Sequence, residues 1–254
     1  MKYAEYGLTQ NETVIFLHGG GLAPWNYCDI AEQLQDRFHI IIPILDGHSG
    51  SDTDFTTIEN NADEIIHYVD ESFCGKIFMI CGLSLGGQIL TEILAKRKDI
   101  CKYAIIESTL VIPMKIIYAF IQPIISICYP LIKKHWFARL QFKTLHIKES
   151  LFEDYYKDST AISKENMIAF LKANSDYKLK ESVKKSLTKV LILVGSKESR
   201  IMKKSAEILC EQIPNAALEV LPGYYHGDLS INHASEYIQK IDDLILMSKA
   251  MKQR

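Results

Sequence analysis

Residues 76–98 read KIFMICGLSLGGQILTEILAKRK, and no other segment says more about how the chain folds. Residues 76–81 are a short apolar run typical of a strand buried on both faces, and residues 88–98 have helical spacing. Between them, Gly82-Leu83-Ser84-Leu85-Gly86 matches the pattern G-x-S-x-G. A serine on so sharp a strand-to-helix turn is lifted out of the sheet edge, and glycine neighbours let strand and helix approach closely. The segment therefore presents Ser84 as a candidate nucleophile.

The same alternation of strand and helix runs through most of the chain. Short β-branched or apolar runs predict strands at 13–17, 39–43, 103–106, 190–194 and 217–221, and helical spacing predicts helices at 26–34, 58–69, 205–212 and 234–247. Alternating strands and helices form a mostly parallel sheet with helices on both faces. The sequence thus predicts an α/β fold.

The alternation stops between about residues 108 and 186. This region contains several prolines, many aromatic residues and helical patterns, but no clear buried strand. We predict a helical cap, inserted between two strands and covering the carboxyl edge of the sheet. Because no internal repeat or low-complexity linker occurs, the prediction is one domain over residues 1–254 with this insertion.

Residues 116–132, within the insertion, contain no charged residue. Their length lies at or below the short end of a membrane-spanning helix, ~17–25 residues. Pro123 and Pro130 favour a pair of buried or pocket-lining helices broken at the prolines. We therefore expect no integral membrane segment, and a cap that touches a membrane is the alternative.

Composition excludes several classes of function. A net charge of −2, with 24% charged residues, gives no concentrated basic face for nucleic acid. The six cysteines form no C-x-x-C pair, and no H-E-x-x-H or comparable ligand cluster suggests a metal. The N-terminal residues carry no apolar signal region, so a reducing, cytoplasmic setting is expected.

A glycine-rich loop follows the first buried strand, with the sequence His18-Gly19-Gly20-Gly21. Such a loop can turn backbone N–H groups toward a developing oxyanion. We predict an oxyanion hole made by the N–H groups of Gly20 and Leu85, with Gly21 as the second choice.

A histidine suited to be the general base lies after the last predicted strand. Residues 222–228 read PGYYHGD, and of the eight histidines only His226 combines this chain position with a glycine-rich loop. Chain order then points to Glu198, after the penultimate strand, as the acid that orients the imidazole. Glu107, at the end of an earlier strand, competes for this role, whereas Asp228 is too near His226 in sequence.

Taken together, these motifs resemble the α/β-hydrolase superfamily. The loop at residues 46–51, DGHSGS, is similar to the D-G-H-G-x-S segment of its single-domain, capped branch, with Ser49 where glycine is usual. The resemblance covers nearly the whole chain outside the cap. It implies a sheet of about eight strands, no cofactor, and an acid that is more commonly Asp than Glu. Members include esterases, thioesterases, lipases, amidases and C–C hydrolases.

The resulting hypothesis is a serine hydrolase that forms an acyl-enzyme on Ser84 and acts on a small-molecule ester or thioester. The apolar character of its substrate depends on whether cap residues line the pocket or only pack the cap on the sheet. These residues are Ile116, Ile117, Phe120, Ile121, Ile124, Ile125, Tyr129, Leu131, Trp136 and Phe137. A C–C bond or amide hydrolase with the same triad, or a ligand receptor with the same fold, are the alternatives.

Overall fold

The computed structural model describes residues 2–252, with side chains through Leu246. One sheet has the strand order β1-β3-β2-β4-β5-β6-β7. Its strands are β1 (Tyr3–Tyr6), β2 (Thr13–Leu17), β3 (His39–Pro43), β4 (Ile77–Leu83), β5 (Cys101–Glu107), β6 (Lys189–Gly195) and β7 (Ala216–Leu221). The predicted domain of 1–254 extends beyond this range by Met1, Gln253 and Arg254, which lie outside the described residues.

Helices connect the strands. They are α1 (Cys28–Leu34), α2 (Ile58–Phe73), α3 (Leu85–Lys96), α4 (Lys115–Ile132), α5 (His135–Thr144), α6 (Phe152–Ala161), α7 (Lys164–Asp176), α8 (Arg200–Gln212), α9 (Asp228–Asn232) and α10 (Ala234–Lys252). One apolar core packs α2, α3 and α8 on one face of the sheet, and a second packs α1, α9 and α10 on the other. The predicted α/β class with helices on both faces is confirmed.

All strand pairs are parallel except β1 with β3. Every residue of β2, β3 and β4 is buried, as expected for strands covered on both faces. The described chain has seven strands where the resemblance implied about eight, because a single edge strand, β1, precedes β2. The loops after β2, β4, β5, β6 and β7 consequently meet at one edge of the sheet.

Between β5 and β6 the described residues contain helices and no strand, in the region where the cap was predicted. The expectation that helices there break at Pro123 and Pro130 is wrong, since α4 continues through both prolines. Each proline leaves the carbonyl four residues earlier without its helical partner. Ala119 and Ser126 occupy those positions and are exposed, so water can satisfy both carbonyls.

The expectation of buried or pocket-lining helices is also wrong for most of α4, although Ile125 and Ile132 line a cavity. Ile121 and Ile132 are buried, but Ile116 is 77% exposed and Ile127 is 76% exposed. The helix therefore has an inner face against the protein and an apolar outer face toward solvent.

Candidate active site

Ser84 lies at the tight turn from β4 into α3, in a backbone conformation that a non-glycine residue rarely adopts. Its φ is 53° and its ψ is −109°. A Cβ on Gly86 would lie 2.1 Å from the carbonyl oxygen of Leu17, so only glycine lets α3 begin this close to the end of β2. This close approach brings Ser84 next to the glycine-rich loop that follows β2. The packing of β4 and α3 around the turn maintains its strained backbone conformation.

Backbone hydrogen bonds align the ends of three neighbouring strands around Ser84. Its N–H donates to the carbonyl of Glu107 at 2.9 Å, and the N–H of Ser108 donates to the carbonyl of Leu193 at 2.9 Å. The loops that carry the candidate nucleophile and acid are therefore fixed to one rigid sheet edge.

His226 lies in the loop between β7 and α9, and Glu198 lies in the turn between β6 and α8. Nδ1 of His226 is 2.9 Å from Oε2 of Glu198. The Glu198 side chain is only 1% exposed, whereas the His226 side chain is 50% exposed. Since a carboxylate accepts and does not donate, Nδ1 carries the proton and Nε2 is left with its lone pair. This is the tautomer that a general base needs.

Several donors converge on the Glu198 carboxylate. Oε1 accepts from the N–H of Gly195 and from the hydroxyl of Ser108, each at 2.8 Å. Burial alone would raise the pKa of Glu198, but the His226 imidazole and these two donors outweigh it and hold the pKa below its ordinary value. Glu198 is therefore a carboxylate near neutral pH.

Ser108 is a contributor that the sequence analysis missed. It has a φ of 51°, and its hydroxyl both donates to Glu198 and accepts from the N–H of Gly227 at 3.1 Å. It thereby joins the acid to the loop that carries His226. A serine after a strand carries no sequence signal for this role, because both partners come from distant segments.

Glu107, the competing acid, has different partners. Its Oε1 accepts from the N–H of Ser230 at 3.3 Å, and its side chain is fully buried. Burial raises the pKa of Glu107 to about 7, helped by the negative charge of Glu198 and opposed by the hydrogen bonds from Ser230. A carboxyl that is half protonated near neutral pH is a poor permanent counter-charge for an imidazolium.

Glu107→Gln is expected to stabilise the protein increasingly as pH rises. The folded protein keeps the Glu107 proton up to a pKa of about 7, whereas the ordinary value is 4.5, so the wild type loses stability between these values. Glutamine mimics the protonated acid and does not titrate. Urea unfolding at about pH 5 and about pH 8 should show the difference in unfolding free energy growing by up to about 3 kcal/mol in favour of the variant.

The matched control is Glu211→Gln, which removes a carboxylate from an exposed position of α8. It accounts for the change in net charge alone. An unfolding free energy of Glu107→Gln that stays parallel to the wild type across this pH range would contradict a buried, protonated Glu107.

Two buried histidines hold the glycine-rich loop in place. Nε2 of His18 accepts from the N–H of Leu45 at 3.2 Å, and Nε2 of His48 accepts from the N–H of Gly21 at 3.0 Å. Burial lowers the pKa of His18 to about 3 and that of His48 to about 4, so both rings are neutral acceptors. The N–H of Gly21 is therefore already engaged by His48, which favours Gly20 as the candidate oxyanion donor in this loop.

Gly20 keeps its predicted place beside the start of α3. A Cβ on Gly20 would contact the side chain of Phe170 at 3.4 Å and that of Leu85 at 3.5 Å. Leu85 is the first residue of α3, where backbone N–H groups have no partner within the helix. The N–H groups of Gly20 and Leu85 therefore come from two adjoining backbone segments next to Ser84.

A cavity of about 260 Å³ contains Ser84, His226 and Gly20 in its lining. Most of the other lining residues are apolar and come from the predicted cap region between β5 and β6, among them Ile125, Ile132, Ile162, Met167, Phe170 and Leu171. Of the cap residues named from the sequence as pocket candidates, Ile125 lines the cavity, whereas Phe120, Ile124 and Leu131 are exposed. The cavity is thus a mostly apolar chamber with a few polar groups in its lining, the usual form of a small-molecule site.

Known proteins with a similar sequence or fold include hydrolases. The family model described as the alpha/beta hydrolase family matches residues 14–239. A search of curated proteins gives no match. Solved structures include an esterase from Thermogutta terrifontis, with 17% identity, a TM-score of 0.74, and 99% of this chain and 93% of that chain covered.

Two further solved structures have the same fold. A carboxylesterase from the thaumarchaeon Nitrososphaera gargenis has 19% identity, a TM-score of 0.79, and 98% of this chain and 95% of that chain covered. A lipase-esterase related protein from Clostridium acetobutylicum has 18% identity, a TM-score of 0.76, and 96% and 98% coverage. With the family model covering most of its length and this fold around Ser84, the chain belongs to the alpha/beta hydrolase family.

Proposed function

We propose that the protein is a serine hydrolase in which Ser84, His226 and Glu198 act as the catalytic triad. The observation that carries this proposal is the 2.9 Å contact between Nδ1 of His226 and the buried carboxylate of Glu198, because His226 lines the same cavity as Ser84. That contact sets the tautomer in which the remaining ring nitrogen can accept a proton from Ser84.

The proposed reaction has two steps. His226 takes the hydroxyl proton as Ser84 attacks the acyl carbonyl, and the N–H groups of Gly20 and Leu85 stabilise the oxyanion. His226 then protonates the leaving group, and an acyl-enzyme forms on Ser84. Water attacks this ester with His226 again as base, which releases the acid and restores Ser84. Glu198 orients the ring and stabilises its cation throughout.

The substrate we propose is a small carboxylic ester or thioester with an apolar portion. Support comes from the apolar side chains of the cap that line the cavity, Ile125 and Phe170 among them. The cavity volume of about 260 Å³ lies just below the ~300–1,000 Å³ of typical small-molecule sites, which favours a short or medium chain. The neighbours described as an esterase and a carboxylesterase are consistent with ester cleavage.

A panel of p-nitrophenyl esters and acyl thioesters of increasing chain length tests this proposal. We expect kcat/KM to rise from acetyl to a medium chain, since each buried methylene is worth ~0.8 kcal/mol, and to fall once the chain exceeds the cavity. Ser84→Ala, measured in parallel, separates enzymatic from spontaneous hydrolysis. A rate that falls steadily from acetyl onward would contradict an apolar acyl site.

A variant that partly fills the cavity tests whether the cavity sets the preferred chain length, and the same substitution at a neighbouring exposed position is its control. Ile125→Trp adds bulk to the cavity wall without touching Ser84 or His226, and Ile124→Trp adds the same bulk at the neighbouring exposed position. The Ile125 variant should shift the preferred chain to shorter esters, whereas the Ile124 variant should leave the preference unchanged.

A further inference from the structure

The outer face of α4 is a continuous apolar stripe exposed to solvent. Its residues are Ile116, Phe120, Ile124, Ile127 and Leu131, spaced so that they lie along one side of the helix, and their exposed fractions range from 38% to 77%. On α5, which packs against α4, Trp136 is 63% exposed and Leu140 is 57% exposed. Monomeric soluble proteins rarely expose a patch of this kind without a partner.

The segment that carries this stripe contributes charges of one sign, although acidic residues from other segments pair with Lys115, Arg139 and Lys148. Residues 108–148 contain six Lys and Arg residues and no Asp or Glu, although the whole chain has a net charge of −2. Lys133 and Lys134 directly follow α4 and are exposed. Within the part of the chain that the structure describes, neither forms an ion pair, and Lys133 lies 5.3 Å from the ring centre of Tyr129. The stripe is therefore bordered by cations that are available to an anionic partner.

The opposite side of α4 leads into the cavity. Ile125 and Ile132 line it, and Leu145, which follows α5, lines it while remaining 41% exposed. Among the described helices, α4 is the one long and apolar enough to cross a membrane. Its inner face is nevertheless committed to the cavity and to α7, which leaves only the outer face for a further contact.

We infer that this face of the cap docks on a lipid bilayer that contains anionic headgroups, with α4 lying in the plane of the interface. An amphipathic helix with a broad apolar face and basic residues at its border binds in this way, with its apolar side chains in the headgroup and acyl boundary. An exposed tryptophan next to such a helix is placed well for the same interface. The orientation sets the cap side of the cavity against the membrane, from which an apolar molecule can enter.

Charge favours a bilayer over a second copy of the chain. In a symmetric dimer the same patch meets itself, so the basic borders of both copies would face each other. An anionic bilayer instead complements them, and it also accepts a flat apolar stripe without a matching groove. The inference concerns binding and does not depend on the reaction at Ser84.

Co-sedimentation with vesicles tests the docking surface. Phosphatidylcholine vesicles with and without phosphatidylglycerol are compared for the wild type, for Phe120→Glu/Ile127→Glu and for the control Leu187→Glu. Leu187 is 61% exposed and lies two residues before β6, at the end of the sheet away from the cap. We expect the wild type and Leu187→Glu to bind anionic vesicles with a blue shift of Trp136 emission, and the cap variant to lose at least about tenfold in partitioning.

Several outcomes would overturn the inference. These are no binding of the wild type to either vesicle, equal binding by the cap variant, or a wild-type dimer in sedimentation velocity that the cap variant abolishes while vesicles are not bound. Urea unfolding serves as the folding control for every variant, and Phe120 and Ile127 do not line the cavity, so hydrolysis at Ser84 should not change in the cap variant. The serine hydrolase proposal and the docking proposal are therefore tested separately. A protein without esterase activity can still bind vesicles, and a protein that does not bind vesicles can still cleave esters.

Discussion

Ser84→Ala is expected to lower kcat by ~10⁴–10⁶-fold while the protein keeps its fold. The hydroxyl is the attacking group, so its loss removes the acyl-enzyme route and leaves only what the oxyanion donors and binding supply. Alanine retains a Cβ at a φ of 53°, so the turn stays as strained as before and stability should change little. Single-turnover and steady-state rates with the best ester, together with urea unfolding, measure both quantities.

Ser84→Gly sharpens this prediction. Glycine tolerates a positive φ, so this variant should be as inactive as the alanine variant but more stable than the wild type, by about 1–3 kcal/mol. Thr9→Gly, at an exposed turn position, controls for the added flexibility of the unfolded chain. Turnover near the wild-type rate in either Ser84 variant would exclude Ser84 as the nucleophile.

Glu198→Gln is expected to lower kcat by ~10²–10⁴-fold, whereas Glu107→Gln should change it only a few-fold. The amide at residue 198 can no longer stabilise the imidazolium of His226, and it can donate to Nδ1 and so favour the wrong tautomer. Glu107 has Ser230 rather than His226 as its hydrogen-bond partner. The kcat of both variants at saturating ester concentration makes the comparison direct, because the same chemical change is made at two buried carboxyls.

The reverse ranking of these two variants would assign the acid to Glu107. Equal losses would mean that the two carboxyls act together through the repulsion between their charges. The pH profile of kcat/KM provides an independent check. If the triad acid itself titrated in the measured range, the profile would show a second ionisation besides that of the general base. The His226 imidazole and the hydrogen bonds from Gly195 and Ser108 outweigh the effect of burial and keep Glu198 ionised near neutral pH, so Glu198→Gln should lower the plateau of the kcat/KM profile.

Much of the fold follows from local sequence patterns. Strands β2 to β5 and the serine turn are visible because most of their residues are buried and apolar, with exceptions such as the exposed Lys102. The predicted helix boundaries are less accurate. Helix α3 begins at Leu85 and not at residue 88, and the sequence does not reveal this start because Gly86 and Gly87 have a low helix propensity. Helix α4 was misjudged since its apolar residues point to solvent, which the periodicity of hydrophobic residues cannot distinguish from burial.

The contacts of Ser108 and His48, which support the candidate site, could not be predicted from the sequence. Ser108 contacts Glu198 and the loop of His226 only because β5 lies next to β6 in the sheet. His48 was noticed as part of a resemblance, but its contact with the N–H of Gly21 depends on how two loops cross. These contacts favour Gly20 over Gly21 and Glu198 over Glu107, so the proposed chemistry depends on tertiary structure as much as on motifs.

Labelling with a small fluorophosphonate, mapped by peptide mass spectrometry, tests the central claim most directly, because the probe reports an activated serine without the natural substrate. The wild type, Ser84→Ala, His226→Ala and the control His233→Ala, one of the other histidines near the site loop, are labelled side by side. Our account predicts modification at Ser84 in the wild type and in His233→Ala, and none in the other two variants. Unlabelled wild-type protein that is fully folded, or labelling of Ser84 that persists without His226, would contradict it.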